Sequence, residues 1–171
     1  MQKESFNIML KPEILDTFLR LLDEAKASGD RDPTAMSVAT VDGSGRVASR
    51  IVLLKGADER GFRFYTNYQS DKGDQIEVHP QVALCFHWKQ LRDGVQVRVE
   101  GVARKLQDEE SDTYFASRPR QSQIGAWASL QSQTLPDREA FEQRVARYEQ
   151  QFEGREVTRP PHWGGYVVEA D

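Results

Sequence analysis

Cationic and hydroxyl side chains gather at the ends of two apolar, strand-like runs. Arg50-Ile-Val-Leu-Leu-Lys55 is followed by Phe64-Tyr-Thr-Asn67 and then by Ser70-Asp-Lys72, which brings Arg50, Lys55, Thr66, Ser70 and Lys72 into one short stretch. A bound phosphate dianion calls for such a set: charge-assisted donors together with the free N–H groups of a helix N-terminus. A second group lies further on, where Arg118 and Arg120 flank Pro119, with Tyr114 before them and Ser122 after, and no countercharge close in sequence. This group has the composition of a second phosphate site, and equally that of a solvated helix–loop junction. Arg50 and Lys55 are five residues apart, so an unbroken strand would point them to opposite faces. If both serve one ligand, either a bulge intervenes or they touch different parts of it, and different parts are expected.

Other reactive residue types read as structural. His79, His87 and His162 are scattered without ligand spacing, so no metal site is expected. Nothing around Ser122 or Cys85 reads as a nucleophile with its base, and Cys85, inside an apolar run, reads as core. Trp127 and Trp163 are expected to pack rather than to carry a ligand. The acidic residues of 137–153 read as a solvated helix face.

The elements that must hold these groups follow from periodicity. Residues 12–27 form an amphipathic pattern with Pro12 in the first turn and Ile14, Leu15, Phe18, Leu19, Leu22 and Ala25 at helical spacing. Short β-prone runs follow at 35–41, 46–55, 62–67, 82–88 and 95–102, the first two joined by the turn Asp42-Gly-Ser-Gly45. Between them, Ser70 reads as the N-cap of a helix that stops near His79-Pro80. Helices are expected from Asp108 to Ser117, from Arg118 to about Ser132, and over 137–152, where Phe141, Val145, Tyr148 and Phe152 share a stripe. Trp163 to Val168 closes the series as a strand. Successive strands joined by tight turns argue for an antiparallel barrel, and no Gly-rich nucleotide fingerprint follows any of them. The expected class is therefore mainly β with flanking helices. Residues 1–171 make one domain: an N-terminal helix within 1–30, barrel strands over 34–107, a helical segment over 108–155 and a last strand at 163–169.

With 171 residues, 38% hydrophobic and 29% charged, the composition is that of a globular chain. A net charge of −4 argues against general nucleic-acid binding. One cysteine fits a reducing compartment. No apolar run approaches membrane-spanning length, and the start MQKESFNIMLKPE lacks the apolar core of a signal peptide, so a cytoplasmic location is expected.

Taken together, Asp32-Pro-Thr-Ala-Met36, Arg50 to Lys55, Phe64 to Asn67, Ser117-Arg-Pro-Arg-Gln-Ser-Gln-Ile-Gly-Ala-Trp127 and Trp163-Gly-Gly165 resemble the pyridoxamine 5′-phosphate oxidase family, in order and over nearly the whole chain. The resemblance implies a split β-barrel, a homodimer, and flavin mononucleotide (FMN) at the subunit interface. It also implies oxidation of pyridoxamine or pyridoxine 5′-phosphate to pyridoxal 5′-phosphate, with oxygen as acceptor and the pocket positioning the substrate against the flavin. Carried over by motif, Arg50, Ile51, Val52, Leu53, Leu54, Lys55, Tyr65, Thr66, Lys72 and Gln96 would line the flavin site, joined by Gln131 and Ser132 from the partner. Lys55, Tyr114, Arg118 and Ser122 would hold the substrate phosphate. No residue is expected to act as acid or base.

The chain departs from the family pattern at three places. Asp71 stands where the family has arginine before the lysine of its S-R-K turn, which is expected to weaken flavin binding unless Asp71 turns away to cap the helix. The family's basic N-terminal segment is not found before Lys11. Its C-terminal R-L-H-D-R-like motif would lie beyond Asp171, as in a chain lacking that segment or a shortened relative with a more open pocket. The alternatives to the oxidase are a non-catalytic flavin or pyridoxal-phosphate binder and a flavin oxidoreductase of the same superfamily with another substrate.

Overall fold

The computed structural model describes residues 9–129 and 137–171. Helix α1 (Pro12–Ala27) starts on Pro12, as expected, and buries Phe18, Leu22 and Ala25. The Phe18 ring meets Phe62 edge-on at 4.8 Å and lies 5.3 Å from Phe86, anchoring the helix to the β core. The strands are β1 (Ala35–Val41), β2 (Val47–Leu53), β3 (Gly56–Asp58), β4 (Gly61–Asn67), β5 (Gln81–Trp88), β6 (Val95–Lys105) and β7 (Trp163–Ala170). All pair antiparallel, in the order β2-β1-β5-β6-β7-β4-β3.

That order closes the sheet on itself. β2 and β3 lie at its two ends, yet only Leu54 and Lys55 separate them in the chain. The handover occurs on those two residues: the Leu54 N–H donates to Thr34 O at 2.9 Å, on the β1 side, and the Lys55 N–H to Arg63 O at 2.8 Å, on the β4 side. The expected return strand over 46–55 is therefore interrupted, and the antiparallel barrel with flanking helices is the observed class.

Period-two alternation positions the core. β1 turns Met36, Val38 and Thr40 inward, and β5 turns Val82, Leu84, Phe86 and Trp88 inward. Cys85 consequently sits half-buried on the opposite face, not in the core as its apolar neighbours suggested. β4 and β7 are buried on both faces. The cause is a second cluster, in which Phe115, Ile124, Phe152, Val157 and Trp163 join helices α3 (Asp108–Ala116), α4 (Arg120–Ala128) and α5 (Arg138–Gln151) to the barrel wall. Helix α2 (Asp71–Val78) lies against β1. Ser70 holds its N-cap position, but the hydroxyl does not cap; it donates to Asn67 O at 2.8 Å. No helix among the described residues is long and apolar enough to cross a membrane.

Candidate active site

Beside the barrel seam lies a cavity of about 570 Å³. β2 and the seam contribute Arg50, Ile51, Val52, Leu53 and Lys55; β4 contributes Tyr65 and Thr66; α2 contributes Lys72. The α3–α4 junction supplies Tyr114, Ser117, Arg118, Pro119 and Ser122, and β7 supplies Trp163. The two clusters of the sequence thus face one cavity. Arg50 and Lys55 both line it, with the strand interrupted between them.

Several expected lining residues lie elsewhere. Leu54 is buried in the barrel core, on the inward side of the seam. Gln96 is exposed on β6, opposite His87 and away from this cavity, because it alternates with inward-facing Val95 and Val97. Gln131 and Ser132 lie outside the described residues. Arg120 does not join Arg118: its guanidinium donates to Arg155 O at 2.9 Å and Phe152 O at 2.7 Å, tying α4 to the end of α5. As the first residue of α4 it turns to the C-terminal end of α5 instead of the cavity.

Two hydroxyl groups are among the partners of Lys72. Lys72 Nζ donates to Thr66 Oγ1 at 2.9 Å and Ser70 Oγ at 3.0 Å. Burial and the neighbouring Arg50 charge bring its pKa down to about 8, against an opposing pull from Asp71. Burial likewise lowers Arg50, again opposed by Asp71. Asp71 therefore lies within electrostatic reach of both cations. Arg118 is lowered by burial, and its Nη1 is buried without a hydrogen-bond partner among the described residues. A buried guanidinium N–H lacking an acceptor is costly.

Sequence reasoning named Tyr65 and Tyr114 but missed Trp163 and the stacking of the three rings. The Trp163 ring, buried as expected of a packing residue, also lines the cavity. Tyr65 stacks on Tyr114 at 3.9 Å and near-parallel to Trp163 at 5.5 Å, and the Arg118 guanidinium lies 4.5 Å over Trp163. Arg159 fixes this wall from behind, donating to Trp163 O at 2.7 Å and to Asp112 and Asp108 at 2.6 and 2.7 Å. Gly164 and Gly165 admit the neighbouring rings. A Cβ on Gly164 would lie 2.1 Å from the Tyr68 hydroxyl, and one on Gly165 would lie 2.7 Å from the Tyr65 ring. Trp127, by contrast, lies outside the cavity lining: its ring packs against Tyr148 and Phe152, and its Nε1–H donates to Thr158 O at 2.8 Å. No group of three His, Cys, Asp or Glu side chains able to hold a metal occurs among the described residues.

Comparison with known proteins bears on the same residues. The family model described as pyridoxamine 5′-phosphate oxidase matches residues 22–152. This chain belongs to the pyridoxamine 5′-phosphate oxidase family. A pyridoxine/pyridoxamine 5′-phosphate oxidase of Myxococcus xanthus is 51% identical over 164 residues, 96% of this chain and 79% of that protein. One from Xanthomonas campestris is 54% identical over 160 residues, 93% of this chain and 80% of its own length. Among solved structures, PhzG from Burkholderia lata, in complex with tetrahydrophenazine-1-carboxylic acid, superposes with a TM-score of 0.84 at 29% identity, covering 94% of this chain and 81% of its own. The barrel, the seam and the α3–α4 junction are thus oxidase-family architecture, and the curated relatives carry the name of an enzyme.

Proposed function

We propose that this chain is a cytoplasmic FMN-dependent oxidase that converts pyridoxamine or pyridoxine 5′-phosphate to pyridoxal 5′-phosphate. The observation that carries the reading is that Arg50, Lys55, Lys72 and Arg118 line one cavity, with Arg118 Nη1 buried and unpartnered among the described residues. A cofactor and a substrate that each bring a phosphate fit that donor set.

In this reading Arg50 and Lys72 hold the flavin phosphate, and Ile51, Val52, Leu53, Tyr65 and Thr66 line the flavin. Arg118, Tyr114, Ser122 and Lys55 hold the substrate phosphate. Bound FMN would supply the redox chemistry, a two-electron oxidation with oxygen as final acceptor; the alcohol substrate would give the aldehyde directly, and the amine substrate would give it by way of an imine that water hydrolyses with loss of ammonia. The protein's own part is positioning. Trp163, held by Arg159, keeps the guanidinium of Arg118 in place. The reading includes a homodimer whose second copy covers β2 and supplies Gln96, Gln131 and Ser132. It is supported by the exposure of Val47, Ile51 and Leu53 on β2 and of Gln96 on β6.

Oxygen uptake by the flavin-loaded chain on adding pyridoxine 5′-phosphate tests this, with flavin content read from absorbance. Bound flavin with turnover is expected. Bound flavin without turnover would overturn the oxidase in favour of a binder or another substrate, and absence of flavin binding would overturn the cofactor assignment.

A further inference from the structure

Thr40 is the polar member of the inward face of β1, where Met36 and Val38 are its apolar companions, and it is fully buried. A hydroxyl at such a position is costly unless bonded. Its partners lie on two other elements. The Thr40 hydroxyl donates to Gln75 Oε1 on α2 and accepts from Arg50 Nη1 on β2. Gln75 Oε1 also accepts from Arg50 Nη2 at 3.2 Å, while Val38 O and Ala48 O accept from Nη1 at 3.2 Å each. Gln75 is three residues after Lys72, so one face of α2 presents both the lysine and the amide.

Among the described residues every acceptor in this cradle is neutral, with Asp71 nearby but acting on Arg50 through its charge. Neutral acceptors fix the plane of a guanidinium without cancelling its charge, whereas a carboxylate in the same place would form a bidentate pair and spend that charge internally. We propose that Thr40 and Gln75 are positioning residues for the phosphate of the cofactor, holding Arg50 at the cavity wall with its charge available to the ligand. The inference rests on the reading that Arg50 meets the FMN phosphate.

The test compares FMN with riboflavin, which lacks the phosphate, by quenching of flavin fluorescence on titration with apoprotein. Gln75→Glu and Thr40→Val are each expected to weaken FMN binding about tenfold while riboflavin binding changes less than about twofold, and Thr40→Ser is expected to restore FMN affinity. A structural defect would weaken both ligands together, so parallel losses, or no loss, would overturn the inference. Arg50→Ala separates the two layers. If it abolishes the preference for FMN over riboflavin while Gln75→Glu leaves that preference intact, the phosphate reading stands and the positioning role fails. If the unmutated protein shows no such preference, both fall.

Discussion

Arg118 and Arg120 flank a single proline and point to different tasks. Arg118 lies over Trp163 with a buried, unpartnered nitrogen, whereas Arg120 is spent on the carbonyls of Phe152 and Arg155. Arg118→Met should raise the KM for pyridoxine 5′-phosphate about 10–100-fold, with flavin content unchanged, since charge-assisted hydrogen bonds are worth about 1.5–3 kcal/mol. Arg120→Met should leave that KM nearly unchanged and lower Tm by about 3–6 °C. Substrate kinetics and a thermal melt on both variants separate the roles. Lys72 makes a prediction in pH. Its folded-state pKa is depressed from 10.5 to about 8, so between those values the unfolded chain binds more protons than the flavin-free folded one, and apoprotein stability rises with pH across that window. Flavin binding should run the other way, because in the proposed site the ammonium meets the phosphate. Affinity for FMN, measured by fluorescence titration from about pH 7 to about pH 9, should fall as pH rises through the lysine's pKa. Lys72→Arg should flatten the profile.

At the level of elements, β7 and the segment before it govern the cavity wall. Gly165→Ala would drive a methyl against the Tyr65 ring and Leu106, so a tilted Tyr65–Tyr114 stack and weaker substrate binding are expected, read as a raised KM with the fold retained in far-UV circular dichroism. The strands were legible because alternation and turn residues are local signals. α1 begins on Pro12, and Val95, Val97 and Val99 turn inward as their spacing indicates. The cationic cluster was legible for the same reason, its members falling on consecutive strand ends. What escaped depends on partners distant in sequence. Ser70 looks like a cap until Lys72 and Asn67 claim its hydroxyl. Arg120 looks like a ligand group until α5 arrives behind it, and Trp163 becomes a cavity wall only because Arg118 and Tyr65 come from other elements. Parity failed between Arg50 and Lys55 because a barrel must bend somewhere, and no residue type advertises the place.

For the whole molecule, the proposed dimer predicts that Val47→Glu, on the exposed face of β2 and outside the cavity, shifts the chain from dimer to monomer in sedimentation velocity and weakens FMN binding in parallel. A monomeric unmutated chain would count against that assembly. The barrel seam carries a consequence for folding. Arg50 to Lys55 can stand in place only after β2 has paired with β1 and β3 with β4, so the cavity wall is assembled by the step that closes the barrel. A ligand held there selects the closed chain over every open one. FMN at 100 times its dissociation constant would then add about 2.7 kcal/mol to the stability of the fold. Flavin supply would thereby go on setting how long each copy of the chain survives proteolysis even after the site is saturated.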